Sequence, residues 1–473
     1  MIAANRVRVC LGCLVAYFGV ALTAFADEGV HLPPFQRLTL ANGVQVALLE
    51  KRDTPLVSMV IDVRGGAAAD PAGKDGTASL LADLLQKGAG PRDAAQFAEA
   101  IENAGGELTA GAGTETLSVT ANFLSRDTDL MLELVADTLQ RPRLDSTEFT
   151  KARQQAVQSI VASKDSDPRA LLDTYGDAWL FGDHPYGRPV DGSEASLAAI
   201  TLADVNRYYT EQVGGDRTIV AVVGDIDAAG FAKKLEAAFG SWRKATAPNP
   251  VVPPSPRFEG RRVLLIDKPD ATQTYFWLGN TGATRTDPAR TAQSVVNGVF
   301  GGRYTSMLNT ELRINGGLTY GANSSFDRGT QAGAFSIVSY TQTEKTAAAI
   351  DLALATLDRL HAKGIDAAAL ASSKSYLLGQ FPPTLETNGQ LAARVADLIE
   401  YGLTVADVDE FDERVNAVDA AVARKTIDAT FPQSQNLAMV LIGNAAAIRD
   451  SVKKYGPVTE MKITDPHFRS LRK

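Results

Sequence analysis

Residues 56–66 read LVSMVIDVRGG and residues 274–282 read TYFWLGNTG. Each is an apolar strand that runs into a glycine corner. Each is followed by an Asp-Pro turn, Asp70-Pro71 or Asp287-Pro288, and then by a helix, from Gly76 in one case and ending at Phe300 in the other. Gly and Pro punctuate the chain at these points because they supply backbone angles that strands and helices do not use. Since more strands and long helices follow both times, the chain reads as two copies of one fold. Between them, Pro248, Pro250, Pro253, Pro254 and Pro256 fall within residues 247–257, a composition that favours extended polyproline. The expected organisation is a leader over 1–26, a first domain over 27–246, a linker over 247–257 and a second domain over 258–473.

Leu38-Thr39-Leu40 and Val44 to Leu48 flank Asn42-Gly43, which predicts an antiparallel hairpin with a two-residue turn. Helical spacing of apolar residues recurs from Ala78 to Leu85, from Phe149 to Val161 and from Ile350 to Leu360. Each half is therefore α+β, a mostly antiparallel sheet covered by long helices, the simplest way to bury both apolar faces.

The 473 residues are 45% hydrophobic and 22% charged, which excludes a disordered, collagenous or coiled-coil chain. Arg6 and Arg8 precede an apolar run from Val9 to Leu22, and Ala24-Phe25-Ala26 offers a cleavage site, so a secretory signal peptide is expected rather than a stable membrane anchor. Cys10 and Cys13 leave with it, and the mature chain has no thiol for a disulfide, a nucleophile or a metal site. The net charge of −8 leaves no basic face for phosphates, which argues against nucleic acid and anionic membranes.

Familiar catalytic motifs are missing. His31, His184, His361 and His467 stand apart, so no two imidazoles share a helical face. Gly73-Lys74 has Ala68 where a P-loop glycine belongs, and no Gly-x-Ser-x-Gly elbow occurs. His184, in Gly182-Asp183-His184-Pro185-Tyr186-Gly187, is read as a structural turn residue because no second ligand is nearby.

Four stretches nevertheless carry a joint resemblance: Phe35 to Gly43, Phe181 to Pro189, the strand end Val222-Val223-Gly224-Asp225, and Leu308 to Tyr320. Together they resemble the insulinase and pitrilysin family of zinc peptidases, the inverzincins, and the likeness runs over nearly the whole mature chain. It implies two homologous domains facing each other as a clamshell. It also implies an inverted His-x-x-Glu-His on the helix at Gly76 to Gly88, with the His pair on zinc and the Glu as base. Here those positions hold Ser79, Ala82 and Asp83, and the third ligand, a Glu in the family, maps to about Ser159. No zinc is therefore expected in this chain.

The family's second requirement is retained. Arg313 and Tyr320 keep the spacing of an Arg/Tyr pair that the domain facing the zinc site contributes. A phenol can donate to the oxyanion formed when hydroxide adds to a peptide carbonyl, and a guanidinium can hold a neighbouring substrate carbonyl. Gly106 to Gly111 resembles the family's edge strand, on which Leu108, Thr109 and Ala110 would pair with an extended peptide; an ordinary sheet edge fits the residues equally well.

The reading is a periplasmic, non-zinc-binding subunit of a heterodimeric metallopeptidase. Its partner would be a homologous zinc-bearing subunit and its substrates peptides, with Arg313 and Tyr320 completing the partner's site across an internal cavity. The alternative is a non-catalytic peptide-binding or scaffold subunit, which would not need that pair.

Overall fold

The computed structural model describes residues 29–469. The leader over 1–26 lies outside the described residues. Among the described residues twelve strands make two six-stranded sheets. The first contains β1 (Gln36–Thr39), β2 (Gln45–Glu50), β3 (Leu56–Arg64), β4 (Glu107–Ala112), β5 (Thr116–Leu124) and β6 (Thr218–Gly224). The second contains β7 (Arg261–Asp267), β8 (Gln273–Thr281), β9 (Ala322–Arg328), β10 (Ala332–Gln342), β11 (Leu437–Gly443) and β12 (Val458–Lys462).

The spatial orders are β1-β2-β6-β3-β5-β4 and β12-β7-β11-β8-β10-β9. Five strands correspond one to one, β2 to β7, β6 to β11, β3 to β8, β5 to β10 and β4 to β9, so the repeat read from the two glycine corners is a repeat of topology. Most pairings are antiparallel, with β2 and β6, β7 and β11, and β7 and β12 parallel. The sixth strand differs between halves: β1 precedes β2 and runs antiparallel to it, whereas β12 closes its sheet from the C-terminal end in parallel.

The hairpin between β1 and β2 differs from the expected two-residue turn. Leu40 and Val44 are joined by the Leu40 N–H to Val44 C=O bond (2.9 Å), which leaves a three-residue loop. Only Gly43 has positive φ, 104°. Asn42 keeps ordinary angles while its amide donates to the Phe239 and Trp242 carbonyls, at 2.7 and 3.0 Å. A tertiary anchor thus decides the loop over the local Asn-Gly preference.

The central strands β6 (TIVAVVG) and β11 (LAMVLIG) are buried at every residue. Such runs without alternation belong to strands covered on both faces. One face of each sheet is covered by helices of its own half. The other is covered by a helix from the opposite half: Asn388–Glu400 packs on β3 and β6, and Leu172–Phe181 packs on β8 and β11. Leu391, Val395 and Leu398 of the first join Leu49, Ile219 and Val223 of the N-terminal sheet in one apolar cluster. In the second, Gly176 lets the helix approach the Trp277 ring so closely that a Cβ there would lie 2.5 Å from it. Residues 247–260, with the proline cluster, form no helix or strand.

Candidate functional site

The helix Thr77–Leu85 sits where the motif positions fall. It starts after Gly76, whose φ of 97° suits glycine, and its first turn is fixed by Asp70. The Asp70 carboxylate accepts the N–H groups of Gly76 (2.7 Å) and Ala78 (2.9 Å), an anion on the positive end of a helix. Burial outweighs these bonds and pushes the Asp70 carboxyl up to about 7. Leu80, Leu81, Leu84 and Leu85 anchor the buried face.

Ser79 and Asp83, one turn apart, face a cavity of about 640 Å³, and Ser159 of the helix Ser146–Ser166 faces it from the other side. Three of the four positions assigned to the degenerate motif therefore converge on one space. Ala82, the fourth, is 1% exposed and presents only a methyl to the core. The Ser79 hydroxyl donates to Asp191 Oδ1 (2.9 Å), and burial, with Asp191 nearby, pushes the Asp83 carboxyl up against the pull of Lys87.

Two carboxylates that the sequence reading passed over, Asp173 and Asp177, line the same cavity from the helix that crosses to the C-terminal sheet. Burial raises both, and Asp327 at the end of β9 raises both further, with Asp177 held well above the usual carboxylate range. Their i, i+4 spacing was a visible signal of a shared helical face. The wall is acidic, with Arg188 the cation in it; that guanidinium donates to the Asp70 carbonyl (2.6 Å). Ser79, Ala82 and Ser159 offer no imidazole or carboxylate, and among the described residues no cluster of three or more His, Cys, Asp or Glu could hold a metal ion. The residues present do not fit the family's zinc.

His184 is accounted for structurally. Its Nδ1 accepts the Tyr186 N–H (3.1 Å), and Nε2 lies 2.8 Å from the Pro253 carbonyl, the arrangement of a neutral ring donating through Nε2. Tyr186 and Glu115 then bond to Gln331 and Thr330 in the β9–β10 turn, joining the halves beside the acidic cavity.

Arg313 lies in a π-helical stretch, Thr310–Asn315, closed by the Gly316 N–H to the Glu311 carbonyl (2.8 Å). Such widened turns recur at functional sites because they re-aim side chains. Its guanidinium stacks over the Tyr304 ring, 4.8 Å from the centroid. Tyr320 is 77% exposed, with Ile314 (62%) and Tyr304 (60%) also exposed near it in sequence. In the isolated chain Tyr320 is therefore open to solvent, whereas Arg313 is half-buried. Strand β4 is the edge of its sheet, paired with β5 alone. Leu108 is buried, Thr109 bonds across to Thr120 (2.7 Å), and the Ala110 carbonyl accepts from Gln86 Nε2 (3.0 Å). Part of this edge is thus occupied by a side chain from the end of the motif helix.

Comparisons with known proteins agree with this architecture. Residues 45–193 match the model for insulinase (peptidase family M16), and residues 199–377 match that for the peptidase M16 inactive domain. Proteins named uncharacterized zinc proteases in Mycobacterium tuberculosis and Mycobacterium bovis are 30% identical over 403 residues, 83% of this chain and 91% of theirs. One from Bacillus subtilis is 25% identical over 412 residues, 86% of this chain and 98% of its own. Among solved structures, a peptidase M16 inactive domain from Pseudomonas fluorescens superimposes with a TM-score of 0.80 at 22% identity, covering 87% of this chain and 98% of its own. A protease from Helicobacter pylori gives 0.80 at 21% identity, covering 87% of this chain and 100% of its own. Among the described residues no helix is long and apolar enough to cross a membrane. Matching folds, paired sheets and full-length relatives together make this chain a member of the insulinase family of peptidases, M16.

Proposed function

We propose that the chain is the subunit without zinc in a two-chain, exported peptidase of this family, working in the periplasm. The partner, a homologue with an intact metal helix, supplies zinc and base, and this chain supplies Arg313 and Tyr320. The observation that carries the reading is the contrast between the two half-sites. The cavity at the motif helix is still built but lined by Ser79, Asp83 and Ser159, while the Arg/Tyr pair persists with Tyr320 exposed and Arg313 half-buried against the exposed Tyr304 ring. An exposed tyrosine that serves chemistry needs a second surface to exclude water around it. Docking of a partner there would also cover the apolar side chains beside it. Peptide capture along β4 fits the same scheme once Gln86 releases the Ala110 carbonyl.

Reconstitution tests this. The purified mature chain alone should cleave no unstructured peptide. Mixed with a zinc-bearing homologue from the same genome, it should form a complex with chelator-sensitive hydrolysis. Absence of a complex at micromolar concentrations, or hydrolysis by the homologue that this chain leaves unchanged, would falsify the subunit reading and favour a scaffold role.

A further inference from the structure

A cavity of about 320 Å³ in the C-terminal half has a different chemistry. Arg285, Arg290, Arg328, Arg394 and Arg414 line it, and Asp407 is the carboxylate among its lining residues. They come from the loop after β8, the helix Arg290–Phe300, the end of β9, the crossing helix Asn388–Glu400 and the short helix Phe411–Asn416. Gathering five guanidiniums is costly unless counter-charge is present, because each disfavours its neighbour's charged form.

The carboxylates nearby do not satisfy all five. Asp407 holds Arg285 (2.9 Å) and Arg290 and lies 3.9 Å from Arg414. Asp397 holds Arg285 (2.6 Å) and lies 3.7 Å from Arg394, and Glu410 is 3.8 Å from Arg414. Asp287 accepts from the Ala289 N–H and Gln293 Nε2. Arg414 already donates to the Ala406 and Asp407 carbonyls, at 2.6 and 2.5 Å. Arg328 and Arg394 remain. Arg328 donates to Gln293 Oε1 (3.0 Å) and packs over the Phe326 ring, yet its Nε is buried with no hydrogen-bond partner among the described residues. Burial and then the charge of Arg285 pull the Arg328 guanidinium down to about 10 against the opposing charges of Asp287 and Asp327, and Arg290 is lowered by burial and by Arg285 and Arg414.

We infer that this cavity binds a small multivalent oxyanion of the phosphate type, held chiefly by Arg328 and Arg394. A guanidinium presents paired, coplanar N–H groups that match the oxygens of a tetrahedral anion, and an anion here supplies both the missing counter-charge and a partner for a buried donor. The site has a mechanical consequence. The anion would tie β9 in the C-terminal half to the helix that crosses onto the N-terminal sheet, so binding should stabilise the interlocked halves. This inference does not depend on the subunit reading.

Calorimetric titration of the full mature chain with inorganic phosphate, at fixed ionic strength, should show one saturable site per chain and a raised Tm. Arg328→Gln and Arg394→Gln should each weaken binding by at least roughly tenfold, about 1.4 kcal/mol, with the circular dichroism spectrum unchanged. Should Arg328→Gln fail to fold, Arg394→Gln carries the test, as among the described residues its side chain makes only the long contact to Asp397. A parallel titration with glycerol 3-phosphate separates sources: comparable affinity identifies a phosphate ester as the ligand class, and binding of inorganic phosphate alone identifies the free ion. Heat and Tm changes that chloride reproduces at equal ionic strength, or unchanged binding in the folded variants, would overturn the inference.

Discussion

Tyr320→Phe removes one oxygen from a side chain that is 77% exposed. Because the ring is mostly in solvent, the folded chain loses almost nothing, and the stability change should stay within about 0.5 kcal/mol, the usual range for surface substitutions. If the hydroxyl donates to the oxyanion in the assembled site, the same change should cost on the order of 3 kcal/mol of transition-state stabilisation, roughly a hundredfold or more in rate. The loss should appear mainly in kcat, since the hydrogen bond strengthens as charge develops on the substrate oxygen. The assay is chelator-sensitive peptide hydrolysis by the two-chain complex. Size-exclusion chromatography and zinc analysis of the partner run alongside, so that lost chemistry is separated from lost docking. Arg313→Ala should raise KM as well, because a guanidinium on a substrate carbonyl also contributes to ground-state binding. A Tyr320→Phe complex that assembles normally and hydrolyses peptide at the unmutated rate refutes the catalytic assignment and leaves a scaffold.

Metal analysis of the purified mature chain should find no stoichiometric zinc, since Ser79, Ala82 and Ser159 carry no ligand and Asp83 alone is a weak one; one tightly held zinc per chain contradicts this. Leu398→Ala, at a position 1% exposed, should cost about 2–5 kcal/mol. Hydrogen exchange should show the lost protection in β3 and β6 of the other half, and a loss confined to the C-terminal half would contradict the helix exchange. Stability should fall as pH rises between 3.8 and about 7: Asp70 titrates higher in the folded chain than its ordinary value, so the folded state binds more protons than the unfolded one across that window. Asp62, Asp173, Asp177, Asp327 and Glu400 are raised in the same direction, each by burial first. Asp70→Asn should flatten this slope in urea melts while losing one of the two N–H bonds at the helix start; an unchanged slope means that Asp70 is ionised throughout.

The family, the repeat and the broken metal motif were legible because they depend on residues near one another in the chain. A strand, glycine corner, Asp-Pro turn and helix are a local sequence of events, and Ser79, Ala82 and Asp83 fall within two turns of one helix. The seven-residue spacing of Arg313 and Tyr320 was legible for the same reason, as both lie within one short segment. Tertiary structure decided what separation along the chain conceals. Ser159 meets Ser79 and Asp83 only because two helices border one cavity, and Asp173 and Asp177 join them because their helix leaves its own half to cover the other sheet. Nothing local announces that a helix will cross, since its apolar face looks the same whichever sheet it covers. The two-residue turn at Asn42-Gly43 gave way to a longer loop when the carbonyls of Phe239 and Trp242 captured the Asn42 amide. The five arginines of the second cavity are spread from Arg285 to Arg414, so their crowding is a product of folding alone, and so is the exposure of Tyr320 on a surface the chain itself does not cover.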